Sequence, residues 1–176
     1  MLNRLIGGLM AGAIGSVALN ITTYLDMTLR GRPSSDVPAR AAGRLAGIAG
    51  IDLSTDTGEH GPDARRARDA AESRRTGIGA LLGYATGLGV GALYGLVSPM
   101  TRRLPTPVVA LLIGATAMAG SDVPTATLGA TDPRRWGAPG WLADIVPHLA
   151  YGAFTALAFR AFAPRSRLDR LLGARR

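Results

Sequence analysis

The sequence predicts an all-α polytopic membrane protein: a four-helix transmembrane bundle with a polar, partly helical loop between helices 1 and 2. Three observations carry this expectation. Four apolar segments are long enough, or nearly so, to cross a bilayer. One of them has glycine at every fourth position, Gly79, Gly83, Gly87, Gly91 and Gly95. Arginines flank the apolar segments instead of alternating with aromatics. In water each glycine costs a helix roughly 1 kcal/mol against alanine. In lipid a broken backbone hydrogen bond has no water to replace it, and a bare stripe lets a second helix come close.

The first span covers about residues 1–27. Its core, Leu5 to Leu25, has twenty-one residues, about 31 Å at about 1.5 Å per residue. Arg4, the apolar run to Leu19 and Ser16-Val17-Ala18 have the outline of a signal peptide. The run continues to Leu25, so the segment is read as an uncleaved span. Residues 28–76 form the polar loop. Ser35-Asp36-Val37-Pro38 is a helix start, followed by Ala41, Leu45, Ile48 and Ala49 at helical spacing, a short amphipathic helix suited to a membrane surface. Ser54 to Pro62 is turn-rich. From Asp63 the pattern is helical again, with Arg65 and Asp69, and Arg68 and Glu72, spaced i,i+4, and this helix runs on into the second span.

The second span, residues 77–98, holds the glycine zipper and is expected to be the central element. Four residues per step against a period of 3.6 turns the stripe by about 40° each time, which suits a right-handed crossing. Gly8 and Gly12 offer a matching pair in the first span, and Ala110 with Gly114 a small pair in the third. The third span, residues 106–130, begins at a proline well placed for a first turn. Its apolar run, Val108 to Ala119, is short. Either a kinked helix continues past Pro124, or an irregular buried segment follows. The fourth span, residues 141–163, starts at Trp141, with Asp144 and His148 in its first turns and Pro147 near enough to the start to be tolerated. Trp136 and Trp141 bracket a Gly-Ala-Pro-Gly turn and read as an interfacial belt. An arginine-rich tail, residues 164–176, follows.

The formal net charge is +8, and all twenty basic residues are arginine, in keeping with the coding bias of a GC-rich bacterial genome. Four spans put both termini on one side. That side carries Arg4, Arg102, Arg103 and six arginines from Arg160 to Arg176, opposed by Asp169 alone. The other side has more arginines, diluted by many acids. The density of positive residues places the termini in the cytoplasm of a bacterial inner membrane. The arginines suit lipid headgroups. No nucleic-acid partner is expected, since no basic motif carries interleaved aromatics.

The chain has no cysteine, which excludes disulfides, thiolate metal sites and thiol nucleophiles. His60 and His148 have no metal-ligand spacing, and no serine sits in a GxSxG elbow. No catalytic residue, metal or cofactor is expected. Beside Thr22 and Thr23 of the first span, five polar residues of the spans could carry chemistry: Asn20, Asp26, Asp122, Asp144 and His148. With alternating spans all five fall toward the side opposite the termini, and intramembrane ionisable groups usually face a partner or a cavity. One reading makes them a vestibule for a proton, a cation or a headgroup. The other has Asp144 complement the N-terminal helix dipole and His148 bond a neighbouring helix. The expected function is a structural or accessory one, with membrane lipids and a homo-oligomer or larger membrane complex as partners. The alternative is a small transporter or proton-responsive protein.

The stretches ALLIGATAMAGSDVPTATLGATDP and LADIVPHLAYG, with the arginine-rich tail, carry a family likeness. The half of the chain from about Gly77 resembles the YagU-like family of small bacterial inner-membrane proteins. The resemblance implies the topology above and a loose link to acid tolerance. By it, Asp144 and His148 are the matching acid and histidine.

Overall fold

The computed structural model describes residues 1–53 and 61–162. His60 and the arginine-rich tail lie outside the described residues. The described residues form five α-helices: α1 (Leu2–Arg30), α2 (Val37–Ile48), α3 (Pro62–Val97), α4 (Thr106–Thr127) and α5 (Gly137–Phe162), with a 3₁₀ turn at Pro133–Arg135. No strand occurs among the described residues. The long helices α1, α3, α4 and α5 are each apolar and long enough to cross a membrane. Neighbouring contacts show that consecutive long helices run antiparallel: Gly8 of α1 lies against Gly95 and Gly12 against Gly87, while Gly114 of α4 lies against His148 and Ala110 against Gly152 of α5.

Backbone meets backbone where α1 and α3 touch. A methyl built on Gly91 would sit 2.6 Å from the Gly12 Cα, and one on Gly12 would sit 2.7 Å from the Gly87 carbonyl oxygen. Gly95 faces Arg4 and Gly8 in the same way. Any side chain at these places must push the helices apart. One expectation needs correction. Gly83 does not pack: a methyl there meets nothing within 4 Å. Gly79 packs, but on the backbone of Pro38 in α2. The drift of the stripe around α3 explains both, because the glycines that face α1 and the one that faces α2 lie on different sides of the helix, with Gly83 between them. The largest interfaces are those of α1 with α5 and with α3, and α3 also touches α2 and α4.

A second close contact joins α4 to α5. A methyl on Gly114 would lie 2.6 Å from the His148 carbonyl oxygen, and Gly152 fits against Ala110 and Gly114 in turn. Between the two seams sits Tyr151 of α5, 1% exposed, packed with Val109, Ile113, Ala117 and Ala156. Its ring occupies the space left by Gly15, where a methyl would approach its Cδ2 to 2.8 Å. Its hydroxyl donates to the Gly87 carbonyl at 2.6 Å. One side chain therefore links α5 to α3 beneath α1.

The end of α1 and the start of α5 differ from the sequence reading. Gly31 closes α1 with φ 62°, a left-handed conformation that glycine adopts without strain, three residues later than expected. α3 is one continuous helix from the polar Pro62 to Val97, and Arg66 pairs with Asp63 at 2.8 Å near its start. α4 runs unbroken through Pro124. Hydroxyls bond the carbonyls of its last turns: Thr125 Oγ1 donates to the Ser121 oxygen at 3.0 Å, and Ser121 Oγ to the Met118 oxygen at 2.9 Å. α5 starts at Gly137, four residues early, with Pro139 in its first turn, where its missing N–H is no loss. Pro147 is consequently an interior proline, not one near the helix start.

α2 begins at Val37 behind Asp36, whose carboxylate takes Arg40 Nη1 at 2.5 Å. It packs on the first half of α3 through Ala41, Ala42 and Ala46, while Ile48 is 75% exposed. The buried face is thus the alanine face, not the one marked by Leu45 and Ile48. Arg40 Nε donates to the Ala130 carbonyl at 2.9 Å, tying α2 to the turn after α4.

The seam separates two kinds of glycine experimentally. Gly91→Leu should destabilise the protein by about 3 kcal/mol or more, since both helices must shift, whereas Gly83→Ala should be neutral or stabilising by up to about 1 kcal/mol. Unfolding titrations of both variants in mixed detergent micelles measure the difference.

Candidate functional site

Three of the five polar residues meet. Asp144 and His148 are four apart on α5, and His148 Nδ1 lies 2.8 Å from the Asp144 carbonyl oxygen and 3.3 Å from its Oδ1. Both neighbours accept only, so the imidazole carries its proton on Nδ1. On the other ring edge, Nε2 stands 3.5 Å from Ser121 Oγ of α4, at the outer limit of a hydrogen bond. Ser121 Oγ is also 3.2 Å from Asp122 Oδ1. Asp144 Oδ2 is buried and receives no donor. The side chains of His148 and Asp144 are 13% and 19% exposed.

The local sequence explains this meeting. Gly114 and Gly152 bring α4 and α5 close below the cluster. Asp144 and His148 then share the face turned toward α4, and Ser121-Asp122 stands opposite. Ser121 was absent from the sequence-level set. Its signal was its place beside Asp122 in an otherwise apolar helix. The reading of Asp144 as a dipole partner does not hold, because α5 starts at Gly137 and the dipole effect fades within the first turn.

No family model, curated protein or solved structure matches the chain.

Asn20 and Asp26 go elsewhere. Asn20 Nδ2 donates to the Tyr84 hydroxyl at 3.3 Å, joining α1 to α3. Asp26 is held by Arg30 at 2.5 Å and by Arg32. Arg30 reaches the carboxylate as its i,i+4 neighbour on α1, and the left-handed turn at Gly31 brings Arg32 back to it. Arg30 Nη1 also reaches the Pro139 carbonyl at 3.4 Å. The five residues thus form a cluster of three with Ser121, one interhelical bond and one ion-pair group.

Trp136 and Trp141 stack at 5.1 Å between ring centroids, tilted by 57°. Trp136 Nε1 donates to Thr131 Oγ1 at 2.8 Å, which braces the turn from α4 into α5 beside the cluster. The described residues hold no group of three His, Cys, Asp or Glu arranged to bind a metal ion. What the cluster can do is accept, hold and pass a proton between two helices.

Tyr151 is the buried residue that sequence reading missed, and its hydroxyl can be tested alone. Tyr151→Phe keeps the ring and leaves the Gly87 carbonyl without that donor. It should cost about 1 to 2 kcal/mol with no change in helix content, as read by circular dichroism during thermal unfolding in detergent.

Proposed function

We propose that the chain is a small four-span protein of a bacterial inner membrane, with cytoplasmic termini and a structural or accessory role in a larger membrane assembly. The observation that carries this reading is the outward apolar surface. Leu81 of α3, Leu111 of α4, and Leu142 and Leu157 of α5 are 69%, 55%, 56% and 57% exposed. Apolar faces of this extent suit lipid or a partner helix and not water. Inside, the helices are locked by backbone contact, a construction fit for a scaffold. Kinship with the YagU-like family belongs to the same proposal.

Purification of the tagged protein from native membranes in mild detergent is the test. A reproducible stoichiometric partner supports the accessory role, and a lone monomer overturns it.

The meeting of Asp122, Asp144 and His148 favours a second reading, a proton-responsive membrane protein. Proton flux into phosphatidylglycerol-containing liposomes should rise on acidification from about pH 8 to about pH 5, and His148→Ala should abolish that rise. Flux that is absent, or unchanged in the variant, overturns histidine gating.

A further inference from the structure

Two guanidiniums meet neighbouring residues of α2 without a carboxylate to hold them. Arg75 of α3 lies against Gly43: a methyl built there would sit 2.5 Å from its Nε and 2.6 Å from its Nη2. That Nε is buried and has no hydrogen-bond acceptor. Arg44 is the next residue of α2. Its Nη1 lies 3.5 Å from the methyl position of Gly129, in the turn after α4, where the backbone is left-handed at φ 67°. Neither Arg44 nor Arg75 has an ion pair or a hydrogen bond among the described residues. The acid at the start of α2 is engaged: Asp36 takes Arg40, and Arg40 Nε donates to the Ala130 carbonyl at 2.9 Å. Arginine keeps its charge at any ordinary pH, so two such cations on adjoining residues call for an anion.

The surroundings say which kind of anion. Arg75 is the last charged residue before the apolar run of α3 from Gly77 to Val97, so it stands at the boundary of the span. The turn at Gly129 follows the end of α4 and marks the same boundary. α2 gives its alanines to α3 and leaves Leu45 and Ile48 outward, 39% and 75% exposed, with Ile51 just beyond the helix at 57%. Arg44 and Ile48 are four apart and share a face. A helix with arginine and isoleucine on one outer face fits the border between headgroups and acyl chains, where the stems of arginines lie along apolar surface and their heads reach phosphate.

We propose that Arg44 and Arg75 are the seat for the phosphate of an anionic phospholipid, with an acyl chain along Leu45 and Ile48. The N–H groups of the two guanidiniums donate to the non-bridging phosphate oxygens, for which their planar forks are suited. Gly43 is part of the seat, because only a residue without a side chain leaves Arg75 its place against α2. One arginine comes from α2 and the other from α3, so a lipid held by both ties the polar segment to the bundle. The proposal rests on the reading of the chain as a membrane protein, and on neither its accessory role nor its response to protons.

Native mass spectrometry of the full chain in mild detergent, with equal amounts of phosphatidylglycerol and phosphatidylcholine added, reads the lipid retained. Phosphatidylglycerol should be kept in preference. Arg44→Gln and Arg75→Gln should each lower its retention about tenfold. Arg74→Gln and Arg134→Gln, at exposed positions, should stay within about twofold of the unsubstituted protein. Gly43→Ala keeps every charge and displaces only the flexible end of Arg75, so it should lower retention as well. It also decides the matter with Arg44→Gln if Arg75→Gln loses its helix content by circular dichroism. Equal retention of phosphatidylcholine overturns the seat, and so does a loss in Arg74→Gln as large as in Arg75→Gln. Millimolar inorganic phosphate should leave the lipid in place; full displacement assigns the seat to free phosphate and overturns the lipid. The membrane reading is checked apart, by an alkaline wash of the protein in phosphatidylcholine vesicles. A chain that stays in the vesicles yet retains no phosphatidylglycerol overturns the seat alone, and a chain that washes off overturns both.

Discussion

The structure depends on the direct approach of two helix backbones, α1 at Gly8 and Gly12 against α3 at Gly87, Gly91 and Gly95. Without side chains between them, the contact consists of many dispersion contacts and weak Cα–H donors facing carbonyls. It needs no hydrophobic driving force, which lipid does not provide between apolar helices. It also sets the position of everything else. The spacing of α1 and α3 leaves the pocket that Gly15 clears for the Tyr151 ring. That ring fixes the height of α5, and α5 in turn carries Asp144 and His148 to the level of Asp122. Ser16 shows how tight the register is, since its hydroxyl turns back to the Gly12 carbonyl at 2.9 Å in the small space opposite Gly87.

Much of the fold was legible because its causes are local. Long apolar runs bounded by arginines mark helices regardless of what they pack against, and a regular glycine spacing survives as a pattern in the sequence. Gly83 was misread because its idleness depends on where α1 and α2 part company around α3, a tertiary fact. The start of α5 was misread because Gly-Ala-Pro-Gly reads as a turn, although Pro139 equally suits a first helical turn. α4 continues through Pro124 with Ser121 and Thr125 hydroxyls bonding the carbonyls of Met118 and Ser121 in the same turns, which composition alone does not reveal.

The site was legible in kind and not in membership. Intramembrane charge on one side of a four-span chain is visible from spacing and alternation, and Asp144 with His148 follows from a four-residue interval. Asp26 was grouped with them because alternation gives depth but not direction around the bundle. Its true partners, Arg30 and Arg32, are close in sequence, and Gly31 between them is the signal of the reversal. Tyr151 went unnoticed for the opposite reason. A lone tyrosine in an apolar helix is unremarkable until Gly15 and Gly87 are seen to make room for it.

One consequence follows from the unbroken course of α3. Its 36 residues span about 54 Å at 1.5 Å each, against a hydrocarbon core of about 30 Å. The excess length is the polar half to which α2 is strapped by alanines and by Pro38 against Gly79. A helix without a joint is a stiff rod. The α2 contact at Gly79 and the α1 contact at Gly87 lie eight residues apart on this rod, about 12 Å, so the polar segment is mechanically part of the bundle and is held to it as a handle is to a key.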